Sequence, residues 1–311
     1  MLLNVKAYVE QEKKALKAAV AKLVEQPVLN IISFEDDSAS NIYMRNKIKL
    51  ANDLGIYASH HYYDIHSCTK ADLASIVEEN ANDLYDGIII QIPANRKLDD
   101  ALFLKDDSTT TYRKLINAIT SINNDVDGLS NASAAELYAA TSDFNSTIKL
   151  IKESGHVPCT AAGIINYLIA YASTTDWCFN GKSATIVGRS ELVGKPLALL
   201  LTGLDCTVSL CHSHTANLKD YTASADLVVV ATGKPNFFDS SYFSSKQVII
   251  DVGISRVDSK ICGDVDTSNI DLDSIDITPV PGGVGLLTTL QLMKNTYINA
   301  AKKTINSAVT N

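Results

Sequence analysis

Apolar residues recur at helical spacing in some segments of this chain and form short strand-like runs in others. The alternation of these two kinds of segment predicts an α/β fold. Apolar residues recur at helical spacing between Val5 and Glu25, and the mostly apolar run from Val28 to Ser33 is typical of a buried strand. A second helical segment follows from Ser40 to Leu54, and Gly87 to Gln91 is another strand-like run. Helices that alternate with buried strands indicate parallel sheets covered by helices.

A denser series of strands occupies the second half of the chain. A helical pattern from Leu192 to Leu201 follows the first of these strands, and the tail from Thr288 to Ala308 is helical again. Strands joined by crossovers are typical of a dinucleotide-binding domain. The predicted strands are Ser183 to Val187, Thr207 to Cys211, Leu227 to Ala231 and Val248 to Val252.

The length and order of these elements predict two domains. A chain of 311 residues exceeds the usual size of a single hydrophobic core. We expect an α/β substrate domain made of residues 1–140 and 280–311. We expect a Rossmann-type dinucleotide-binding domain made of residues 141–279, with a cleft between the two domains.

Composition excludes several classes of partner. The formal net charge is -8, so the surface repels a nucleic-acid backbone and an anionic membrane. No apolar stretch reaches the roughly 18 residues that a membrane-spanning helix needs, and the first residues lack the apolar region of a signal peptide. We therefore expect a cytoplasmic protein. The six cysteines form no C-x-x-C pair, and we expect no metal site.

A glycine turn after the strand that ends at Val187 is the first candidate binding site. Gly188, Arg189 and Ser190 follow this strand, and Gly194 lies at the start of the next helical pattern. A strand, a glycine turn and a helix start present free N–H groups to a pyrophosphate. Because Ser190 replaces the second glycine of the G-x-G-x-x-G pattern, an ordinary connection remains an equal alternative for this turn.

The end of the next strand bears on the choice of cofactor. NAD sites usually carry an acidic residue there, which holds the ribose 2′-hydroxyl. Here the strand ends at Cys211, and no acidic residue occurs before Asp220. Ser213, with Arg189 reaching across, is compatible with a 2′-phosphate, which favours NADP over NAD. Gly253 follows a later strand and is either a wall of the nicotinamide site or an ordinary loop glycine.

Polar residues of the first half form a second candidate site. Tyr43 and Lys47 are four residues apart and therefore share one face of a helix. Gln91 ends an apolar strand, and Asp127 lies in the Asp125–Gly128 segment. A strand-end glutamine and a loop aspartate can converge on a helix lysine, although the pattern alone favours a solvated lysine over a site.

Nine segments, in their order along the chain, indicate a family that residue spacing alone does not. They are Ser40–Lys47, Asp86–Pro93, Asp125–Gly128, Pro158–Thr160, Gly188–Pro196, His212–Thr215, Asp251–Gly253, Gly263–Val265 and Thr278–Gly285. Through these segments the chain resembles the bifunctional methylenetetrahydrofolate dehydrogenase/methenyltetrahydrofolate cyclohydrolase family over nearly its whole length.

The resemblance implies an NADP-dependent oxidation of 5,10-methylenetetrahydrofolate to 5,10-methenyltetrahydrofolate, followed by hydrolysis to 10-formyltetrahydrofolate. It implies that Lys47 is the catalytic lysine, that Gln91 hydrogen-bonds to it, that Tyr43 stacks on the aminobenzoyl ring and that Asp127 binds the pterin. It also implies a homodimer. The implied cofactor contacts are Gly188, Arg189, Ser190, Ser213, Thr215, Gly253 and Ile254, and the implied folate-loop residues are Pro281, Gly282 and Gly283.

The chain departs from the family pattern outside these catalytic positions. Leu286 and Leu287 replace a Pro-Met pair, and Ser133 and Ala135 stand where an asparagine and a glycine are usual. Three alternatives remain: a dehydrogenase without hydrolysis, a binding protein without turnover, and a different two-domain dehydrogenase. The presence of Lys47 argues against the first alternative, and the third does not account for the folate-site motifs.

Overall fold

The computed structural model describes residues 1–34, 38–64, 70–80, 84–91, 111–258 and 260–310. The chain divides into two compact units. Unit 1 consists of Met1–Glu12, Glu136–Lys152 and Pro158–Gln291, and unit 2 consists of Lys13–Ala135, Glu153–Val157 and Leu292–Asn311. The assignment of residues 1–140 and 280–311 to one domain, and of residues 141–279 to the other, stays a prediction.

Unit 2 contains a three-stranded parallel sheet with the order β2-β1-β3. Its strands are β1 (Val28–Ser33), β2 (Tyr57–Tyr62) and β3 (Gly87–Gln91). One face of the sheet packs Ile88 and Ile90 against Ile76 and Leu115 in a buried apolar cluster. The first five described helices are α1 (Val5–Val20), α2 (Ser38–Leu54), α3 (Lys70–Asn80), α4 (Thr111–Ile119) and α5 (Asn131–Ala140).

Two boundaries in unit 2 differ from the sequence prediction. Helix α1 ends at Val20 rather than Glu25, because the chain tightens into i→i−3 turns in which Lys22 N donates to Ala19 O and Leu23 N donates to Val20 O. The pattern of Ser59–Tyr63 predicts a strand, and strand β2 begins two residues earlier, at Tyr57. The amide of Tyr57 already donates to the carbonyl of Pro27, just before β1.

Unit 1 contains a five-stranded parallel sheet with the order β10-β7-β6-β4-β5. The chain leaves β4 for β5 on one side and then returns to place β6 on the other side, which is the topological switch point of a doubly wound sheet. The strands are β4 (Ser183–Val187), β5 (Thr207–Cys211), β6 (Leu227–Val230), β7 (Val248–Asp251) and β10 (Asp276–Ile277), with the separate hairpin β8 (Ser255–Val257) and β9 (Lys260–Cys262).

The remaining helices include two that the sequence pattern did not predict, Phe144–Glu153 and Leu218–Ser224. Helix α6 (Phe144–Glu153) buries Thr147 together with Leu150 and Ile151, and a buried threonine interrupts the apolar period. Helix α8 begins at Gly194 rather than Leu192, after a turn that occupies the intervening residues. The other helices are α7 (Cys159–Ala172), α8 (Gly194–Gly203), α9 (Leu218–Ser224) and α10 (Val284–Thr310).

Residues 292–310 of α10 belong to unit 2 and supply hydrogen-bond donors to its loops. The buried Asn295 donates to the carbonyls of Val126, at 2.9 Å, and of Val157, at 3.0 Å. Because buried carbonyls need partners, these polar side chains replace water at the loops. In the same way, Asn299 donates to Asp86 O, Lys302 to Ser154 O and Lys303 to Tyr85 O.

No helix within the described part of the chain is long and apolar enough to span a membrane. The five cysteines within the described ranges form no disulfide.

Candidate active site

Lys47 and Gln91 meet in unit 2. Lys47 lies in the third turn of α2, and Gln91 is the last residue of β3. The Nζ atom of Lys47 donates a 2.8 Å hydrogen bond to Oε1 of Gln91, and both side chains are half-buried. The partner is a neutral amide rather than a carboxylate, so the contact orients the lysine amine without placing a negative charge beside it. The contact between Lys47 and Gln91 that the resemblance implies is therefore present.

Ser33, which lies beside Gln91, and its partner His60 were not singled out from the sequence. Ser33, the last residue of β1, is the register partner of Gln91 on the neighbouring strand, so the two side chains point to the same face of the sheet. Ser33 Oγ lies 2.8 Å from His60 Nε2. Burial, with a smaller effect of His61, lowers the pKa of His60 below its usual value. The sequence does not specify the strand register that places Ser33 next to Gln91, so it gives no signal for Ser33 or His60.

Asp127 lies on a segment that runs beside β3. Asp125 forms a parallel bridge with Ile88, so the following residues run toward the end of β3 at which Gln91 lies. The turn is fixed by the buried Asp125, whose carboxylate accepts hydrogen bonds from the amides of Gly128 and Ser130 at 3.0 Å and 2.8 Å. Asp127 itself is half-buried.

Tyr43 lies on α2, one turn before Lys47. This spacing puts the two residues on one face of the helix, as the sequence predicts. The side chain of Tyr43 falls outside the described part of the structure, and its stacking on a folate ring stays a prediction.

The glycine turn of unit 1 is packed too closely to accept side chains. Gly188 has a φ of 125°, and a Cβ built on it would lie 2.3 Å from the carbonyl oxygen of Ala231. A Cβ on Gly194 would lie 1.8 Å from the carbonyl oxygen of Gly188. Arg189 and Ser190 are exposed between these glycines, and Ser190 Oγ accepts from Val193 N at 3.2 Å. The turn thus brings β4 and the start of α8 together, as a pyrophosphate-binding connection requires.

The turn after β5 is closed by its own polar atoms. Thr215 Oγ1 accepts a 2.9 Å hydrogen bond from His212 N, and His214 N donates to Nδ1 of His212 at 3.2 Å. Ser213 is exposed at the tip of this turn. Among the described residues of the protein, no group of three or more His, Cys, Asp and Glu side chains could hold a metal ion.

The remaining predicted residues of unit 1 lie in two loops. Gly253 is buried and Ile254 is exposed directly after β7, at the carboxyl edge of the sheet. Pro281 and Gly282 are exposed, and Gly283 is buried, just before α10. A Cβ on Gly283 would lie 2.3 Å from the carbonyl oxygen of Pro279, so this loop also needs glycine.

Two family models match the chain. The catalytic-domain model of the tetrahydrofolate dehydrogenase/cyclohydrolase family matches residues 3–106. The NAD(P)-binding-domain model of the same family matches residues 158–304. The chain belongs to this family. The predicted α/β class with a substrate domain and a dinucleotide-binding domain is confirmed by these matches and by the two parallel sheets.

Relatives and solved structures agree with this family over almost the whole chain. The bifunctional protein FolD of Agathobacter rectalis is 38% identical over 299 residues, which are 94% of this chain and 96% of the relative. The bifunctional FolD methylenetetrahydrofolate dehydrogenase/cyclohydrolase of Campylobacter jejuni aligns with a TM-score of 0.82 and 33% identity, covering 97% of this chain and 99% of that chain. The bifunctional 5,10-methylenetetrahydrofolate dehydrogenase/cyclohydrolase of Thermoplasma acidophilum aligns with a TM-score of 0.79 and 29% identity. The alignment covers 98% of this chain and 100% of that chain.

Proposed function

We propose that this protein oxidises 5,10-methylenetetrahydrofolate to 5,10-methenyltetrahydrofolate with NADP and hydrolyses the product to 10-formyltetrahydrofolate. Membership of the dehydrogenase/cyclohydrolase family supports both reactions. The observation that carries the proposal is the hydrogen bond from Lys47 Nζ to Gln91 Oε1, because it orients an amine that can transfer protons. We assign binding and orientation of the folate to Tyr43, Asp127 and the loop of Pro281, Gly282 and Gly283.

The first step depends on orientation. NADP, when bound, accepts the hydride that leaves the one-carbon bridge of the folate. Gly188, Arg189, Ser190, Gly253 and Ile254 would contact the cofactor through their backbone and, at the exposed positions, through side chains. The close packing of Gly188 and Gly194 supports this assignment, because it leaves no room for side chains between the strand and the helix start.

The turn after β5 supports NADP over NAD. Ser213 is exposed there, and Thr215 holds the shape of the turn through its bond to His212 N. No carboxylate lies between Cys211 and Asp220 to compete with a 2′-phosphate. Ser213 and Arg189 would instead donate hydrogen bonds to this phosphate, which an acidic side chain would repel.

The second step requires proton transfer. Water adds to the methenyl carbon and loses a proton, the bond from that carbon to N5 breaks, and N5 ends with a proton. One proton is released overall. Lys47 Nζ would take the proton from the attacking water and return a proton toward N5, while Gln91 keeps the amine oriented. We further propose that the protein acts as a homodimer in the cytoplasm, without nucleic acid or membrane partners.

One assay tests both activities. The purified protein is mixed with methylenetetrahydrofolate and either NADP or NAD, and the absorbances of reduced cofactor and methenyl product are followed together. We expect NADP reduction without accumulation of methenyl product. Accumulation would contradict the hydrolysis step and leave a dehydrogenase, and no reduction with either cofactor would overturn the proposal. A monomer in light scattering at micromolar concentration would contradict the homodimer.

A further inference from the structure

Asp251 is a buried carboxylate that holds the loop after β7. It is the last residue of β7 and is 2% exposed. Its Oδ1 accepts hydrogen bonds from the amides of Gly253 and Asp264, both at 3.0 Å, and its Oδ2 accepts from the amide of Val265 at 3.0 Å. Both oxygens of Asp251 are therefore occupied by N–H donors.

Asp264 is a second buried carboxylate, and it holds the loop after β6. Its Oδ2 accepts from the amide of Thr232 at 2.6 Å, from Thr232 Oγ1 at 2.9 Å and from the amide of Gly233 at 3.0 Å. Within the described ranges, the fully buried Oδ1 has no hydrogen-bond partner. The two carboxylates thus tie the loops after two neighbouring strands to one segment.

Each carboxylate lies against a glycine that neighbours the other carboxylate. A Cβ on Gly253 would lie 2.2 Å from Asp264 Oδ1, and a Cβ on Gly263 would lie 1.9 Å from Asp251 Oδ2. Either side chain would displace a carboxylate from its donors. The two acids and two glycines therefore form one close-packed arrangement, which we name the acid–glycine lock (Asp251, Gly253, Gly263 and Asp264).

This arrangement carries an electrostatic cost. Burial, with a smaller effect from the charge of Asp264, raises the pKa of Asp251 to about 6. Burying two carboxyl groups close together costs free energy, and such groups concentrate at functional sites. The lock lies at the carboxyl ends of β6 and β7, beside the switch point where doubly wound sheets bind their ligands.

We infer that Asp251 and Asp264 are positioning residues for the dinucleotide, holding the backbone of Thr232–Gly233 and Gly253–Ile254 in the conformation that NADP binds. The inference rests on the proposed function, which it deepens by naming residues that act through the loops. The carboxylates fix amides from one side, so the opposite side of each loop presents a fixed surface to the cofactor. Fixed loops bind with a smaller loss of conformational entropy.

The hydrogen-bond pattern predicts different responses to replacement by asparagine. In Asp251→Asn the new NH₂ group must face an amide N–H, because both oxygens of Asp251 accept hydrogen bonds. In Asp264→Asn the carbonyl oxygen can occupy the Oδ2 position, and the NH₂ group takes the position of the oxygen that has no partner. Asp264→Asn is therefore the conservative variant, whereas Asp264→Ala removes the acceptor altogether.

The experiment compares two activities of each variant with direct NADP binding. Dehydrogenase assays give KM for NADP, titration calorimetry gives Kd for NADP, and cyclohydrolase assays use supplied methenyltetrahydrofolate without cofactor. We expect Asp251→Asn and Asp264→Ala to raise KM and Kd for NADP by roughly tenfold or more, since each loses charged hydrogen bonds. Cyclohydrolase activity should stay within about twofold in both. Asp264→Asn should raise Kd for NADP less than Asp264→Ala does, because it keeps an acceptor at the Oδ2 position, and the exposed control Asp273→Asn should stay within about twofold in every assay.

Unchanged NADP affinity in both Asp251→Asn and Asp264→Ala would overturn the inference. Parallel loss of the two activities at unchanged Kd would also overturn it, by showing a general structural role. If either variant fails to fold, Thr232→Val decides. It removes the Oγ1 contacts to Asp264 Oδ2 and Lys234 N but keeps the amide contacts to Asp264, and it should raise Kd for NADP by roughly threefold or more. Failure of the wild-type protein to reduce NADP would count against the proposed function. In that case the Kd values for NADP from titration calorimetry would still test the acid–glycine lock.

Discussion

The buried hydroxyl of Ser133 donates a 2.6 Å hydrogen bond to Oδ2 of Asp125. Asp125 in turn accepts from the amides of Gly128, Leu129 and Ser130, so one carboxylate organises the turn that contains Asp127. Ser133 departs from the family pattern, which usually has asparagine at this position. The structure gives this departure a role, because the serine completes the hydrogen bonding of the acid that shapes the turn.

We predict that Ser133→Ala loosens the Asp125–Ser130 turn that contains Asp127. A hydrogen bond to a buried charge contributes about 1.5–3 kcal/mol, so the amides of Gly128, Leu129 and Ser130 should exchange roughly tenfold faster or more. Ser146→Ala is a matched control, because Ser146 also donates a 2.6 Å bond to an aspartate, Asp143, but in an exposed setting. Equal protection of the three amides in wild type and Ser133→Ala would contradict the prediction.

We predict that Lys47→Ala lowers cyclohydrolase activity by roughly 10²- to 10⁴-fold, the contribution typical of a general acid–base group. The measurement is hydrolysis of supplied methenyltetrahydrofolate. Lys49→Ala removes an exposed lysine from the same helix and should leave the rate unchanged. A Lys47→Ala protein that hydrolyses the substrate at close to the wild-type rate would remove Lys47 from the mechanism.

Replacement of Gln91 by glutamate tests why the partner of Lys47 is neutral. The carboxylate keeps an acceptor near Lys47 Nζ but favours the protonated amine, which cannot act as a base. We expect hydrolysis by Gln91→Glu to fall by roughly tenfold or more at neutral pH and to recover as the pH rises. The pH profile of kcat is the readout. A profile that overlaps the wild-type curve would mean that Gln91 only holds the lysine in place.

The turn after β5 offers a test of cofactor choice. Ser213→Asp places a carboxylate on an exposed tip, where it repels a 2′-phosphate and can accept from a ribose 2′-hydroxyl. We expect KM for NADP to rise by roughly tenfold or more while KM for NAD falls. The exposed Ser240→Asp variant controls for the added charge. If the ratio of the two KM values does not change, Ser213 does not contact the phosphate.

Loss of Asn295 should destabilise unit 2. In Asn295→Ala the carbonyls of Val126 and Val157 lose the two hydrogen bonds that Asn295 donates, which should cost about 1–3 kcal/mol together. Urea unfolding followed by circular dichroism should show a lower midpoint for this variant. The exposed Asn46→Ala serves as a control of the same residue type. Coincident unfolding curves for Asn295→Ala and wild type would refute this account.

The helices and strands that carry the two sites follow from the sequence pattern, whereas the side-chain networks do not. Helical spacing placed Lys47 on a helix and an apolar run placed Gln91 at a strand end, whereas the contact between them was implied by the family resemblance. The hydrogen bonds of Asp251 with the amides of Asp264 and Val265 join residues 13 and 14 positions apart. Such contacts depend on the path of a loop, for which hydrophobic periodicity provides no signal.

Buried polar residues explain the elements that the pattern misjudged. Thr147 interrupts the apolar period of α6, although it is fully buried and donates from its hydroxyl to the carbonyl of Asp143. The buried Asn299 looks like a solvent-facing residue in the sequence, yet it lies against the carbonyl of Asp86. A polar side chain indicates exposure only where no buried backbone group needs a partner.

The residues of the two units are completed at different points along the chain, because residues 292–310 of α10 belong to unit 2. A ribosome-bound chain that has reached Gln291 already contains every residue of unit 1, whereas unit 2 still lacks Leu292–Asn311. The carbonyls of Tyr85 and Asp86 accept hydrogen bonds from Lys303 and Asn299, which follow 218 and 213 positions later in the chain. All residues of the nucleotide-binding unit are therefore synthesised before the unit that carries Lys47 is complete, and that unit gains its last internal contacts from Leu292–Asn311.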